Sequence, residues 1–321
     1  MKAIRIEQTG GPEVMTWQDI TLPPPGPGEV RLRHTVIGLN FIDTYHRGGL
    51  YPMVMPSGLG LEAAGVIEAV GEGVSLAAGL RVGYCWGPVG AYATHRNIAA
   101  AAVVALPDGV SDEMAAAGLL KGCTTEFLIE RCARVRPGDW ALVPAAAGGV
   151  GLLLVQWLKL VGATVIAVAG TAQKLALAAA HGADFGLIDT SDVAAQVRDL
   201  TGGRGVDVVF DGVGQASWES SLGSLKRRGL LISFGNASGP VSNVDLGILA
   251  RKGSLFVTRP TLFDYYATPE ERQTHAARVL GLMASGGLKL VVNQHYKLAD
   301  AAKAHDDLAA RRTTGSTVLI P

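Results

Sequence analysis

The chain has 321 residues, more than one hydrophobic core usually serves, so two domains are expected. Lysine plus arginine and aspartate plus glutamate both number 28, and no basic stripe with interleaved aromatics occurs, which argues against nucleic acid as the main partner. No stretch reads as a membrane span or a signal peptide, and Cys85, Cys123 and Cys132, unclustered and without CxxC spacing, suit a reducing, cytoplasmic setting better than a disulfide frame or a zinc lobe.

From the N-terminus, Met1 to Ile6 reads as a strand. Short alternating strands at 30–36 and 65–70, with turns at Pro23-Pro24-Pro25-Gly26-Pro27-Gly28 and Gly71-Glu72-Gly73, predict a β-rich domain with few helices. The texture changes at Trp140, where an apolar run to Val143 leads into Pro-Ala-Ala-Ala-Gly-Gly-Val-Gly and then an apolar helix from Leu152 to Val161. That is the pattern of a dinucleotide-binding turn. Glycines at 148, 149 and 151 allow a tight turn, bring backbone N–H groups close to a pyrophosphate and let the new helix lie against the next strand, with Ala146 in the place of the first glycine of G-x-G-x-x-G.

Five more strands follow, at 164–168, 185–188, 207–210, 230–234 and 254–258, with helices centred on Gln156, Leu175, Val197, Ser221 and Leu246. Six strands joined by helical crossovers, each expected to be buried on both faces, predict an α/β fold with a doubly wound parallel Rossmann sheet and its ligand at the carboxyl ends of the strands. A helix at 269–285, a strand at 290–296, a helix at 299–311 and a last strand at 316–320 complete the chain. The simplest arrangement inserts a dinucleotide domain, residues 125–261, into the β-rich domain formed by 1–124 and 262–321, with the active site in the cleft between them.

The end of the second strand discriminates between cofactors, because an acid there would bind the ribose 2′-OH of NAD. Ala169 stands there instead, followed by Gly170-Thr171-Ala172-Gln173-Lys174, whose hydroxyl and ammonium suit the 2′-phosphate of NADPH. Lys174 can equally be read as a solvated helix lysine.

Several motifs in order resemble one family along essentially the whole chain. They are Gly38-Leu39-Asn40-Phe41-Ile42-Asp43-Thr44-Tyr45, Gly49-Leu50-Tyr51-Pro52, Gly60-Leu61-Glu62-Ala63-Ala64-Gly65, Leu120-Lys121-Gly122, the 145–151 turn, the 170–174 loop and Ser233-Phe234-Gly235-Asn236. The chain resembles the zinc-independent quinone oxidoreductases, the ζ-crystallin-like branch of the medium-chain dehydrogenase/reductase superfamily. The resemblance implies that the β-rich domain is GroES-like and that NADPH reduces a quinone. The places that hold a cysteine, a histidine with its neighbouring glutamate, and a second cysteine in the superfamily's zinc enzymes here carry Asn40, Leu61 beside Glu62, and Lys121. A leucine cannot ligate zinc, and a carboxamide and an ammonium replace thiolates poorly, so no metal is expected.

By the same resemblance Asn40, Tyr45 and Tyr51 line the quinone slot as catalytic residues, the two tyrosines being readable also as packing residues. Asn40, Lys121 and Thr124 face the nicotinamide side of NADPH, Gly149 and Val150 the pyrophosphate, and Gly170, Thr171 and Lys174 the adenosine phosphate. Phe234, Gly235 and Asn236 follow the fifth strand, Val257, Thr258 and Arg259 the sixth, and Arg311 serves the 2′-phosphate side or domain closure. The family often places a tyrosine after the third strand, and Leu187-Ile188-Asp189-Thr190 has none, which weakens the case for NADPH over NADH. Asp43 is expected to be buried in the turn after Asn40, and Glu62 to persist as a scaffold residue. Of seven histidines only His46 falls near the slot. The resemblance also implies a homodimer paired through the sheet edge formed by the sixth strand, whose apolar Leu255, Phe256 and Val257 would otherwise stay uncovered. Two other readings stay open: an NADPH-dependent alkenal or enone reductase, and a non-catalytic NADPH-binding protein.

Overall fold

Short apolar runs separated by helices build, in residues 124–265, one parallel sheet. The structure is a computed structural model that describes residues 1–190 and 192–321. The chain divides into two units, Met1–Cys123 with Tyr266–Pro321, and Thr124–Tyr265.

The strands of the Thr124–Tyr265 unit are Trp140–Val143, Thr164–Ala169, Phe185–Ile188, Val206–Asp211, Leu225–Ser233 and Phe256–Thr258. All neighbours run parallel, in the order third, second, first, fourth, fifth, sixth. Leu142 of the first strand stands opposite Ile166 on one side and Val209 on the other, so the order reverses there, the switch point at which such sheets bind ligands. Both flanking residues are fully buried and belong to a core with Val168, Val197, Leu222 and Leu231. Helices Gly149–Val161, Ala172–Ala180, Val193–Leu200, Trp218–Ser224 and Gly247–Arg251 supply the crossovers.

The two edge strands depart from the expectation of burial on both faces. Phe185 and Ile188 on one edge and Phe256 and Val257 on the other are exposed, Phe256 by 56%. An edge strand has a neighbour on one side only, which leaves its side chains more open than those of the central strands. Leu255, expected on the open edge, is buried instead, because it precedes the strand and packs into the core.

The other unit has a seven-stranded sheet centred on Glu29–Leu39. That strand pairs antiparallel with Glu62–Val70, with His95–Ala99 and with Ser316–Ile320, so the last strand of the chain joins a sheet begun by the first hundred residues. A second sheet of three strands contains Lys2–Ile6. Helices are more prominent than the alternation of strands suggests. Asp112–Glu126 is a long helix that continues into a π-helical segment, Phe127–Ala133. Its start was written in the sequence, since Ser111 precedes two acids and its Oγ accepts the Met114 N–H at 3.1 Å. Cys85 and Cys123, separate in sequence, are neighbours in the folded chain: both are fully buried free thiols that hydrogen-bond each other. Among the described residues no helix is long and apolar enough to cross a membrane.

The central strand also carries a buried imidazole. His34 Nδ1 lies 2.7 Å from the Ala93 carbonyl, so that nitrogen carries the hydrogen and Nε2 accepts from the Tyr84 hydroxyl at 3.1 Å. Burial holds the ring neutral and lowers its pKa from 6.5 to about 4. Between these values the unfolded chain binds the proton and the folded chain does not, so stability is lost as the pH falls. Thermal unfolding followed from pH 6.5 down to 4 is expected to show a steeper fall of Tm for the wild type than for His34→Gln; parallel curves would contradict it.

Candidate active site

Glu62 organises the candidate site of the first unit. It begins the strand Glu62–Val70 and has no exposed surface. One oxygen accepts the Asn40 side-chain amide at 2.8 Å and lies 3.6 Å from the Lys121 ammonium; the other accepts the Leu120 backbone N–H at 2.6 Å. Lys121 Nζ also reaches the Leu39 carbonyl at 3.4 Å. Burial pushes the Glu62 carboxyl up, opposed by the Lys121 charge and the donated hydrogen bonds. A side chain at Gly38 would place its Cβ 2.1 Å from the Ala116 carbonyl oxygen and 2.3 Å from Glu62 Oε2, so only glycine lets the central strand pass here. Asn40 and Lys121 are themselves buried. One Asn40 amide hydrogen is committed to Glu62, and the same side chain closes a capping box with Asp43.

Asn40 is also the N-cap of the Phe41–Gly48 helix, which carries Tyr45. Asp43, in the first turn of this helix, is fully buried and accepts the Asn40 backbone N–H at 2.9 Å. After the left-handed Gly49 the chain turns back, and the Tyr51 N–H donates to the Tyr45 carbonyl at 3.2 Å. The two tyrosine rings meet edge to face at 5.3 Å, with Phe41 against Tyr45 and His46 against Tyr51. Tyr45 and Tyr51 are half-buried. The structure thus brings Asn40 and Lys121 together through Glu62, and sets Tyr51, after the turn, against Tyr45 of the helix that Asn40 opens.

The cofactor candidates of the second unit gather at the carboxyl ends of its strands. The Gly149–Val161 helix begins three residues earlier than expected, at Gly149, with Gly148 extended at its N-cap and no side chain capping it. Its first N–H groups, those of Gly149, Val150 and Gly151, therefore lack side-chain and intrahelical acceptors, which fits a pyrophosphate. The glycines do not make the tight turn as expected, for the left-handed residue is Ala145, with φ of 52°. Ala146 is buried and ties the turn to the second strand through its N–H to the Val168 carbonyl. Gly151 serves a close approach, since its Cβ would lie 2.5 Å from the Ala145 carbonyl oxygen.

Ala169 closes the second strand and leaves no carboxylate there for a ribose hydroxyl. Gly170 is exposed, and Thr171 caps the next helix, its Oγ accepting the Lys174 N–H at 3.2 Å. Asp189, also exposed, donates its N–H to the Ala169 carbonyl, so an acidic residue does border this edge. At the other end, the Phe234 and Gly235 N–H groups both donate to the Asp211 carbonyl, and Arg259 Nη1 donates to the Ser233 and Gly235 carbonyls at 2.8 and 3.0 Å. These bonds join the ends of the fourth, fifth and sixth strands and place Phe234, Gly235, Asn236, Val257, Thr258 and Arg259 in one region. Thr124 lies half-buried one helical turn beyond Lys121. Arg311 belongs to the first unit, exposed and left-handed after the Ala301–Ala309 helix, and Arg312 beside it pairs with Asp307.

Three residues important to these arrangements were not singled out from the sequence. Asp211 is buried and accepts from the Val213 and Gly214 N–H groups and from the Ser217 and Ser221 hydroxyls. Its signal was available, as an acid closing an apolar strand before a Gly-x-Gly turn. Tyr92 and His305 meet across 213 positions of sequence, and no local pattern announces them.

Two family models match the chain: an alcohol dehydrogenase GroES-like domain over residues 26–108 and a zinc-binding dehydrogenase over residues 149–273. A quinone oxidoreductase from Pseudomonas aeruginosa is 51% identical, over 100% of this chain and 99% of that protein. The chain belongs to the quinone oxidoreductase family of the medium-chain dehydrogenases/reductases. A crystal structure of Escherichia coli quinone oxidoreductase complexed with NADPH superposes with a TM-score of 0.97 at 45% identity, covering all of both chains. A 2-haloacrylate reductase from a Burkholderia species is 40% identical over 98% of each. The zinc-binding dehydrogenase model names a metal, yet among the described residues no three His, Cys, Asp or Glu side chains stand together as a metal site.

As a member of this family the chain keeps the nucleotide turn under steric control, and the control is measurable. Gly151→Ala should force the turn apart at a cost of about 1–3 kcal/mol. Gly148→Ala, whose Cβ would meet its nearest neighbour at 3.3 Å, should cost less. Thermal denaturation of both variants checks this, and an equal loss would remove the close-approach explanation.

Proposed function

We propose that this protein reduces quinones with NADPH, by a hydride transfer that uses no metal. The observation that carries the reading is the Asn40–Glu62–Lys121 cluster, in a chain related over its full length to quinone oxidoreductases. A carboxamide, a leucine at 61 and an ammonium are a poor donor set for zinc, whereas the carboxamide and the ammonium are good hydrogen-bond donors. NADPH supplies the hydride when bound.

The residues of the chain then bind and orient the reactants. Gly149 and Val150 offer N–H groups to the pyrophosphate, and Gly170, Thr171 and Lys174 serve the 2′-phosphate, with Phe234 to Asn236 and Val257 to Arg259 bounding the same face of the sheet. Lys121 and Thr124 serve the nicotinamide side, and Arg311 the phosphate side. Asn40, Tyr45 and Tyr51 hold the acceptor, a donor from among them meeting the oxygen that gains charge. A quinone needs little acid help, because its reduced ring is aromatic, so positioned donors suffice. The 2-haloacrylate reductase among the relatives supports a second reading, reduction of an alkene conjugated to a carbonyl, for which one donor must act on a single oxygen.

The deciding experiment follows NADPH oxidation in EDTA with 1,4-benzoquinone, 9,10-phenanthrenequinone or 2-hexenal. Turnover of the quinones is expected; turnover of the enal alone would establish the second reading, and tight NADPH binding without turnover a non-catalytic protein. Lys174→Ala should weaken NADPH about tenfold or more, the worth of one hydrogen bond to a charged group, and leave NADH unchanged. A loss shared by both cofactors would remove Lys174 from the phosphate site.

The same reading includes a homodimer and a cytoplasmic location. The exposed edge strand with Phe256 and Val257 supports the first, and three free cysteines support the second. Light scattering should give twice the chain mass for the wild type and a monomer for Phe256→Asp. A monomeric wild type would end the dimer proposal.

A further inference from the structure

A line of buried polar groups runs away from Asp43 through the first unit, beyond the cluster that Glu62 organises. Tyr92, 1% exposed, donates its hydroxyl to Asp43 Oδ2 at 2.9 Å and lies 3.0 Å from His305 Nε2. His305, fully buried on the Ala301–Ala309 helix, has its Nδ1 3.3 Å from Arg47 Nη1. A guanidinium can only donate, so Nδ1 accepts, Nε2 carries the hydrogen and donates to Tyr92, and Tyr92 donates onward. Every bond in the chain therefore points one way, from Arg47 to Asp43. Arg47 lies in the last turn of the helix whose first turn holds Asp43, so the line leaves the helix at one end and returns at the other.

The helix needs this support. Along its short length the buried atoms Asp43 Oδ1, His46 Nδ1 and Arg47 Nε have no hydrogen-bond partner among the described residues. Unsatisfied buried polar atoms cost stability, and the partnered ones must hold the element in register. The same helix begins at Asn40 and carries Tyr45.

We propose that Tyr92 and His305 are positioning residues for the acceptor site: the Arg47–His305–Tyr92–Asp43 chain fixes the helix turn that presents Asn40 and Tyr45. The proposal rests on the quinone-reductase reading. It predicts a pH dependence as well. Burial pushes the Asp43 carboxyl up to about 7, opposed by the Asn40 N–H and the Tyr92 hydroxyl. Glu62 adds to the rise and Lys121 counters it. His305 stays neutral, burial and Arg47 lowering it to about 3, so Asp43 is the member that titrates near neutrality. Removing the Tyr92 hydroxyl removes a donor that favours the ionised carboxylate, and the Asp43 titration must move to higher pH.

The test compares Tyr92→Phe, His305→Leu and His305→Gln with the wild type in steady-state quinone reduction across pH. Tyr92→Phe and His305→Leu are expected to raise KM for the quinone about tenfold, to shift the acid limb of kcat/KM upward and to leave the NADPH dissociation constant unchanged. His305→Gln, whose amide can accept from Arg47 and donate to Tyr92, is expected to restore both KM and the pH limb. An unshifted limb in Tyr92→Phe, or equal behaviour of the two His305 variants, would overturn the proposal; the His305 pair decides alone if Tyr92→Phe does not fold. A wild type that reduces no quinone would instead defeat the functional reading. In that case 13C NMR of labelled aspartate, assigned with Asp43→Asn, still decides the coupling: an Asp43 midpoint raised in His305→Leu but not in His305→Gln supports it, and one unmoved in both ends it.

Discussion

A carboxylate removed from water survives only where its oxygens are fully engaged, and much of the first unit is arranged around that need at Glu62. Its two oxygens receive groups from three places: the Asn40 amide at the start of one helix, the Leu120 N–H in the middle of another, and the Lys121 ammonium beside it. The first helix cannot turn, nor the long helix slide, without stripping a partner from a charge that has no water to replace it. The close pass of the central strand at Gly38 follows from the same carboxylate, whose oxygen occupies the space a side chain would need. The site is therefore rigid for an electrostatic reason as much as for a packing one.

The second unit solves a similar problem with Asp211. Its buried carboxylate takes two backbone N–H groups and two serine hydroxyls from the turn and helix that follow it. That turn is packed against the segment after the fifth strand, which Arg259 clasps from the end of the sixth. At the other half of the sheet, Ala146 is tied to the second strand by a single backbone bond, and the helix that follows is left with free N–H groups at its start. Firm strand ends beside an uncapped helix terminus are what a dinucleotide requires, because an anion can satisfy only donors that do not move.

How far the sequence discloses this depends on the range of each interaction. The parallel sheet was legible strand by strand: three of its features, the apolar runs, the glycine turn and the helical crossovers, are local, and Trp140–Val143 and Phe185–Ile188 match their expected limits. Burial of the edge strands was misjudged because an apolar run looks the same at the centre and at the edge of a sheet, and only the neighbours tell them apart. The close approach expected of the glycine turn is met at Gly151, but the left-handed position of the turn fell to an alanine. The long helix from Asp112 was overlooked although its serine cap and acids were present, since alanine-rich apolar sequence lacks the periodicity that strands and amphipathic helices display. Asp43 and Glu62 were recognisable as buried carboxylates only through the company they keep in related motifs. Tyr92 and His305 had no such company, and their meeting is a property of the fold alone.

The chemistry of the site can be traced to charge. Glu62 and Lys121 face each other within a buried region, and the Asn40 amide joins them, so the cluster offers neither a free anion nor the concentrated positive charge of a divalent ion. On the proposed reading, an oxygen gaining charge beside it is stabilised by oriented dipoles, and dipoles act only as well as they are held. Every device that fixes the Phe41–Gly48 helix, from the Glu62–Asn40 bond at its mouth to the buried line that returns through Tyr92 and His305 to Arg47, bears on that requirement. A metal would tolerate a looser frame, because its charge attracts an oxygen from any direction. On the metal-free reading proposed above, selectivity falls to acceptors whose reduced form already spreads its charge, and the rigidity of one short helix becomes a condition for their reduction.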